Sequence, residues 1–147
     1  MNNFTFKGYQ SGIMPTIKYP MNQPADWIAY KPLTASGNTT LNTPPTGYAF
    51  RLMGWEITVT ANATLSAAGN LVVTFVDGSS GDIWATTLSL GTTGSGIGVV
   101  PVSRIELNGG YISQAENNAL IVNLSQALTA GALNVTAFGL YEQTALL

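Results

Sequence analysis

This 147-residue sequence predicts an all-β domain, an antiparallel β-sandwich or jelly roll of about seven or eight strands preceded by an extended N-terminal arm. Three features carry that prediction. Apolar and polar residues alternate over much of residues 46–147, turn-forming residues punctuate the alternation, and prolines crowd residues 1–45. No segment sustains the 3.6-residue period of an amphipathic helix, and no internal repeat is visible.

The arm is read from proline and aromatic content. Six of the seven prolines (Pro15, Pro20, Pro24, Pro32, Pro44 and Pro45) lie at or before position 45, and a proline lacks the N–H that a central strand must donate. Residues 1–45 are therefore expected to run extended outside the sheets, with residues 46–147 forming the sandwich. Six of the 14 aromatics fall in the first 30 positions, where a disordered tail would be poor in them. Such an arm is expected to lie against protein, with Phe4, Phe6, Tyr9, Ile13, Ile17, Tyr19, Trp27 and Tyr30 as its candidate partner-binding residues. Lys7, Lys18, Lys31 and Asp26 give residues 1–31 a charge of +2, whereas residues 32–147 carry −4. The arm thus complements the body in sign, and both its own body and a neighbouring subunit qualify as its seat.

Along the body, Tyr48, Phe50 and Leu52 share one parity while Met53, Trp55, Ile57 and Val59 share the other, which predicts a strand over 48–61 with a bulge near Gly54. Residues 71–76 and 83–90 flank the run Asp77–Gly78–Ser79–Ser80–Gly81–Asp82, the turn chemistry of a β-hairpin. Strands are expected at 97–102 and 104–107, followed by a loop at Gly109–Gly110. Ser113 and Glu116 have capping-box spacing and could open a single helical turn. Leu120, Val122 and Leu124 mark the next strand, and 132–142 the last.

Charged residues make up only 8% of the chain, against about 25% in an average domain. Water-facing positions must then be filled by Thr, Ser, Asn, Gly and apolar side chains, a surface poorly suited to keeping copies apart at a net charge of −2. Permanent assembly is the natural setting for it, and a homo-oligomer is expected. Five basic residues against seven acidic ones exclude a nucleic-acid footprint. The uncharged stretches 57–76, 83–103 and 117–141 are long enough to span a bilayer as helices, but Gly, Asn, Thr and Pro101 break them and their alternation marks strands, so no membrane segment is expected. Residues 1–7 lack the apolar core of a signal peptide, and no export by that route is expected.

The chain has neither cysteine nor histidine, which removes thiol nucleophiles, Cys-based metal sites and His-dependent general-base arrangements. No serine precedes a lysine by three positions. The sequence therefore predicts a non-enzyme with no cofactor and no metal. Asp77 and Asp82 are the nearest carboxylate pair outside the arm, but Asp beside Gly is hairpin chemistry, and with Ser79 they fall short of the six or more oxygens calcium requires. The glycine-rich segment 91–98 lacks the lysine of a phosphate-binding loop. Asn-x-Ser/Thr triplets at Asn3, Asn38, Asn62, Asn123 and Asn134 are assigned no role. Trp27, Trp55 and Trp84 with Tyr48 and Tyr111 could in principle make a sugar-stacking platform, although core packing is the more economical use of such residues.

The order of these features over residues 47–142 resembles the small jelly-roll decoration, or cement, proteins of tailed-bacteriophage heads. A long first strand (GYAFRLMGWEITVTANATL) leads to a hairpin (NLVVTFVDGSSGDIWATTLSL), a Gly-flanked aromatic turn (NGGYISQAENNALIVNLSQAL) and a closing strand (GALNVTAFGLYEQ). The resemblance covers about two-thirds of the chain and is a pattern without a signature motif. It implies a trimer on the outer capsid surface of a virion, bound to the major capsid protein and bracing the shell through non-covalent contacts. The alternative expectation is a receptor- or glycan-binding module of a phage fibre or spike.

Overall fold

A computed structural model describes residues 25–92 and 102–143. The described residues form ten strands and no helix: β1 (Trp27–Leu33), β2 (Gly37–Asn42), β3 (Tyr48–Val59), β4 (Thr64–Leu65), β5 (Leu71–Asp77), β6 (Gly81–Leu88), β7 (Val102–Ile112), β8 (Leu120–Leu124), β9 (Leu128–Ala130) and β10 (Leu133–Gln143). Eight of them make two four-stranded antiparallel sheets, ordered β1-β10-β3-β7 and β2-β8-β5-β6. Early strands thus pair with late ones while successive strands alternate between sheets over β1–β3, which is the wrapping of a jelly roll. The remaining pair, β4 and β9, ties two connections together, with the hydroxyls of Thr64 and Thr129 2.9 Å apart.

The sandwich forms because each strand has an apolar side. In β3, Phe50, Leu52, Trp55, Ile57 and Val59 are buried, and in β5 Leu71, Val73 and Phe75 are. Leu120, Val122 and Leu124 of β8 and Leu133, Val135 and Ala137 of β10 complete the same core. At its centre Trp55 meets Phe75 at 4.9 Å and Trp84 at 5.0 Å between ring centroids, both tilted, so one sheet is locked to the other by aromatic packing. The inward parity of β3 switches between Leu52 and Trp55 because Met53 is an extra residue. The ladder to β10 passes from Phe138↔Gly54 to Gly139↔Leu52, so the bulge expected near Gly54 is present.

Four expectations change. The boundary of the arm does not lie at residue 45, since residues 27–42 are two strands of the sandwich. Their prolines are tolerated for a physical reason: β1 is an edge strand hydrogen-bonded only to β10, and Pro32, opposite Asn134, leaves its missing N–H where no ladder requires it. Second, the segment around Gly109–Gly110 is no simple loop. β7 continues through it, with residues 107–110 bulging opposite Met53 and both glycines at positive φ (85° and 77°), a conformation that side chains resist. Third, Ser113–Glu116 forms a turn rather than a helix, because the Ser113 hydroxyl is committed to Asp77. Fourth, the short strands β4 and β9 add to the expected set. Of the strand predicted at 97–102, all but Val102 lies outside the described residues, as does the glycine-rich segment from residue 93.

Asp77, at the tip of β5, is fully buried. Its Oδ1 accepts hydrogen bonds from Ser113 Oγ (2.6 Å) and Asn118 Nδ2 (3.0 Å), and its Oδ2 accepts from the Tyr111 hydroxyl (2.9 Å) and the Gln114 N–H (2.8 Å). One carboxylate therefore binds the β5–β6 turn to the β7–β8 connection. The Tyr111 phenol is held above its ordinary pKa of 10.0, first by burial and then by its hydrogen bond to Asp77 and that group's charge, against a smaller lowering by Gln114. A raised folded-state pKa means this contribution is complete below about pH 10 and is lost as pH climbs through the raised value. Melting temperature should accordingly fall less steeply between about pH 9.5 and 11 in Tyr111→Phe than in the parent, and equal slopes would refute the coupling.

Candidate functional site

The site is the outer face of the first sheet, and register assembles it. Side chains that point away from the core in β1, β10 and β3 lie in rows across the sheet: Ile28 beside Phe138 beside Gly54, and Tyr30 beside Thr136 beside Glu56. Such a face, if simply solvated, would carry polar groups. Here Ile28 is 73% exposed, Tyr30 58% and Ile112 41%, and half-buried Met53, Phe138 and Leu140 join them.

Two adjoining depressions cross this face. One, of about 400 Å³, is lined by Ala25, Arg51, Met53, Gly109, Phe138, Leu140 and Glu142. The other, of about 250 Å³, is lined by Ala25, Ile28, Glu56, Arg104, Thr136 and Phe138. They share Ala25 and Phe138, so together they form one open groove. Phe138, which lines both, packs against Gly54, where a Cβ would sit 2.9 Å from the Phe138 ring and 2.7 Å from the Ile105 carbonyl oxygen.

Charges border the groove in pairs. Arg51 Nε donates to Glu142 Oε2 at 2.6 Å and Arg51 Nη1 to the Gly109 carbonyl, which fixes the guanidinium between β10 and the β7 bulge. Arg104 pairs with Glu106 at 2.9 Å, an exposed bridge of small net worth. That hydrogen bond, followed by the charges of Glu106 and Glu56, raises the Arg104 pKa, so this guanidinium stays charged. The charged residues that line the groove, Arg51 and Arg104 against Glu56 and Glu142, balance. Apolar contact flanked by fixed charges suits protein recognition. Among the described residues, no group of three or more His, Cys, Asp or Glu side chains is placed to hold a metal ion.

Of the eight residues expected to bind a partner, Phe4, Phe6, Tyr9, Ile13, Ile17 and Tyr19 lie outside the described residues. Trp27 is corrected: it turns inward, 7% exposed, contacts Tyr141 and donates from Nε1 to the Leu140 carbonyl at 3.1 Å. Alternation along β1 requires this, since Trp27 and Leu33 share the core-facing parity. Tyr30 does face outward, its hydroxyl bonded to Asn134 Oδ1 at 3.1 Å. A sugar platform is not assembled, because Trp27 and Trp55 are both in the core. Sequence reasoning missed Ile28, Met53, Ile112, Phe138 and Leu140. A signal was available for the last two, since apolar residues occupy both parities of β10 at 137–140, the mark of a strand covered on both sides.

Comparison with known proteins finds no matching family model, no matching curated protein and no matching solved structure.

Proposed function

We propose that this chain is a structural virion protein, a decoration protein that binds the outer capsid lattice of a tailed bacteriophage and stabilises it by non-covalent contacts without catalysing a reaction. The observation that carries this reading is the outer face of the first sheet, where Ile28, Tyr30 and Ile112 stand exposed around an open apolar groove on a chain almost free of charge. A water-facing sheet with these side chains exposed marks a contact surface. The jelly-roll order of strands and the basic, aromatic N-terminal segment support the same reading. On a symmetric lattice many copies multiply a modest interface into firm attachment, provided all sites are engaged together.

The test is co-sedimentation with undecorated shells assembled from the major capsid protein of the parent phage. The full chain should pellet with the shells and raise their disassembly temperature, while a variant lacking residues 1–24 should retain its fold and bind at least tenfold more weakly. Truncation must stop before Ala25, because Asp26 already donates its N–H to Gly139. Failure of the full chain to pellet, or sugar-dependent retention on a glycan array, would overturn the assignment.

A further inference from the structure

Each four-stranded sheet ends in two edge strands, and three of these four edges carry features that discourage a further strand from pairing with them. β1 has Lys31 and Pro32, and β7 has Arg104, Glu106 and the bulge at 107–110. β2 holds a regular register only over Gly37–Thr40, a run with no apolar side chain to cover. β6 differs. Its ladder to β5 shifts once, at Ile83, and is then unbroken from Trp84 to Leu88, a run with neither charge nor proline. The hydrogen bonds of β5 show which backbone groups of this run are free. Val72 donates its N–H to Ser125 Oγ at 2.9 Å and accepts from the Ser125 N–H at 3.0 Å, so it faces β8, and alternation turns Leu71, Val73 and Phe75 toward β6. Opposite those three stand Leu88, Thr86 and Trp84, which leaves the N–H and C=O of Ala85 and Thr87 pointing away from the sheet. Both residues are exposed, and among the described residues β6 pairs with β5 alone.

We infer that β6 is a self-pairing edge: it adds in antiparallel register to β6 of a second copy of this chain, with Thr86 on the two-fold axis, and joins two four-stranded sheets into one of eight strands. The run reads alike from either end about Thr86, and that symmetry selects a second copy as the occupant. In this register Ala85 opposes the partner copy's Thr87 twice over, and the two pairs exchange four backbone hydrogen bonds. Trp84 opposes the partner copy's Leu88 on the core side. The Trp84 indole packs on Trp55 and Phe75 at 5.0 and 6.0 Å between ring centroids yet is only half-buried, so an apolar neighbour beyond the edge completes its cover. Other registers are worse. A shift by two residues sets Asp82 against Leu88 in one direction and runs Trp84 past the end of the strand in the other, while a shift by one turns core-side residues against solvent-side ones. With no charge in the paired run, like copies meet without repulsion. The contact closes on itself, so its product is a dimer rather than the trimer that the resemblance implies, and it leaves the groove on the first sheet free for another partner.

The chain has no cysteine, so an introduced thiol is unique. Thr86→Cys tests the axis. A residue that faces itself at a non-hydrogen-bonded position has Cα atoms about 4.5 Å apart, within disulfide range, so air oxidation should yield a covalent dimer. Ser79→Cys, at the exposed tip of the hairpin, should stay monomeric under the same treatment. Sedimentation of the full chain should show a concentration-dependent dimer. Thr87→Pro deletes two of the four hydrogen bonds between copies while sparing the ladder to β5, and should weaken that dimer at least about tenfold. Amide exchange at Ala85 and Thr87 in the parent should slow as protein concentration rises. If the proline variant does not fold, the double variant Ala85→Lys/Thr87→Lys, at two exposed positions, makes the same test by setting lysines against each other across the axis. A full chain that is monomeric at every concentration would overturn the proposal, as would equally fast disulfide formation by the two cysteine variants, or a dimer that the edge substitutions leave intact. These measurements contain no capsid, so a dimer that binds no shell would refute the decoration reading alone, and a monomer that binds shells would refute edge pairing alone.

Discussion

Replacing Asp77 with alanine is expected to destabilise the domain by about 3–5 kcal/mol, the range seen when one member of a buried charged network is deleted. The carboxylate is inaccessible to water and receives four hydrogen bonds, two on each oxygen. No lysine or arginine contacts it among the described residues, so its burial is balanced by these donors alone. Each bond to an ionised acceptor contributes about 1.5–3 kcal/mol, and the contributions are not additive. Asn is the informative control. It keeps the shape but substitutes an NH₂ donor for one acceptor, so one obligate donor, the Gln114 N–H or Asn118 Nδ2, would face another donor, and the hydroxyl beside it would have to turn and accept. Asp77→Asn should therefore cost nearly as much as alanine, whereas Ser113→Ala and Tyr111→Phe should each cost about 1–2 kcal/mol. Guanidinium unfolding followed by tryptophan fluorescence measures all four. An asparagine variant as stable as the parent would mean that shape, not charge, holds the turn.

The same carboxylate shows where the sequence was legible and where it was not. Asp77 beside Gly78 was readable as a hairpin turn from local chemistry, and β5, β6, β8 and β10 followed from alternation with a period of two. The bulge at Met53 was visible as a change of parity. Ser113 and Glu116 carried an equally local helix-start signal, yet a partner 36 positions away took the Ser113 hydroxyl, and no window of sequence contains that competitor. Prolines misled in the opposite way. They report correctly that an N–H is missing, but whether the absence matters depends on strand order, which put β1 and β2 at sheet edges. The strand β2, GNTTLN, has almost no apolar pattern because only Leu41 faces deeply into the core.

The groove was the least legible feature, since its walls come from residues 25–28, 51–56, 104–109 and 136–142. Only the pairing of β1, β10, β3 and β7 brings these together. What the sequence did contain was the demand for such a surface. A chain with 8% charged residues cannot cover itself with ions, and on the outer face of the first sheet Ile28, Tyr30, Met53, Phe138 and Leu140 stand between paired charged side chains.

Gly139→Ala should be among the most damaging single-methyl additions in the molecule, costing upward of about 4 kcal/mol, beyond the usual range for overpacking. Gly139 lies where β10 passes the Met53 bulge, opposite Trp27 on one side and Leu52 on the other. A Cβ there would overlap the carbonyl oxygen of Arg51 and approach Cζ2 of Trp27 to 2.6 Å. The indole could swing away only by giving up its hydrogen bond to the Leu140 carbonyl, and the Arg51 oxygen belongs to backbone that cannot move without shifting β3 against β10. The two consequences separate in experiment. Loss of stability is read from the unfolding midpoint, and opening of the sheet from faster amide exchange at residues 51–53 and 138–141. Because Phe138 and Leu140 flank Gly139 and line the groove, a displaced β10 would also disturb that face. A Gly139→Ala protein with parental stability and parental amide exchange would show that β10 and β3 are not packed as closely as the register requires.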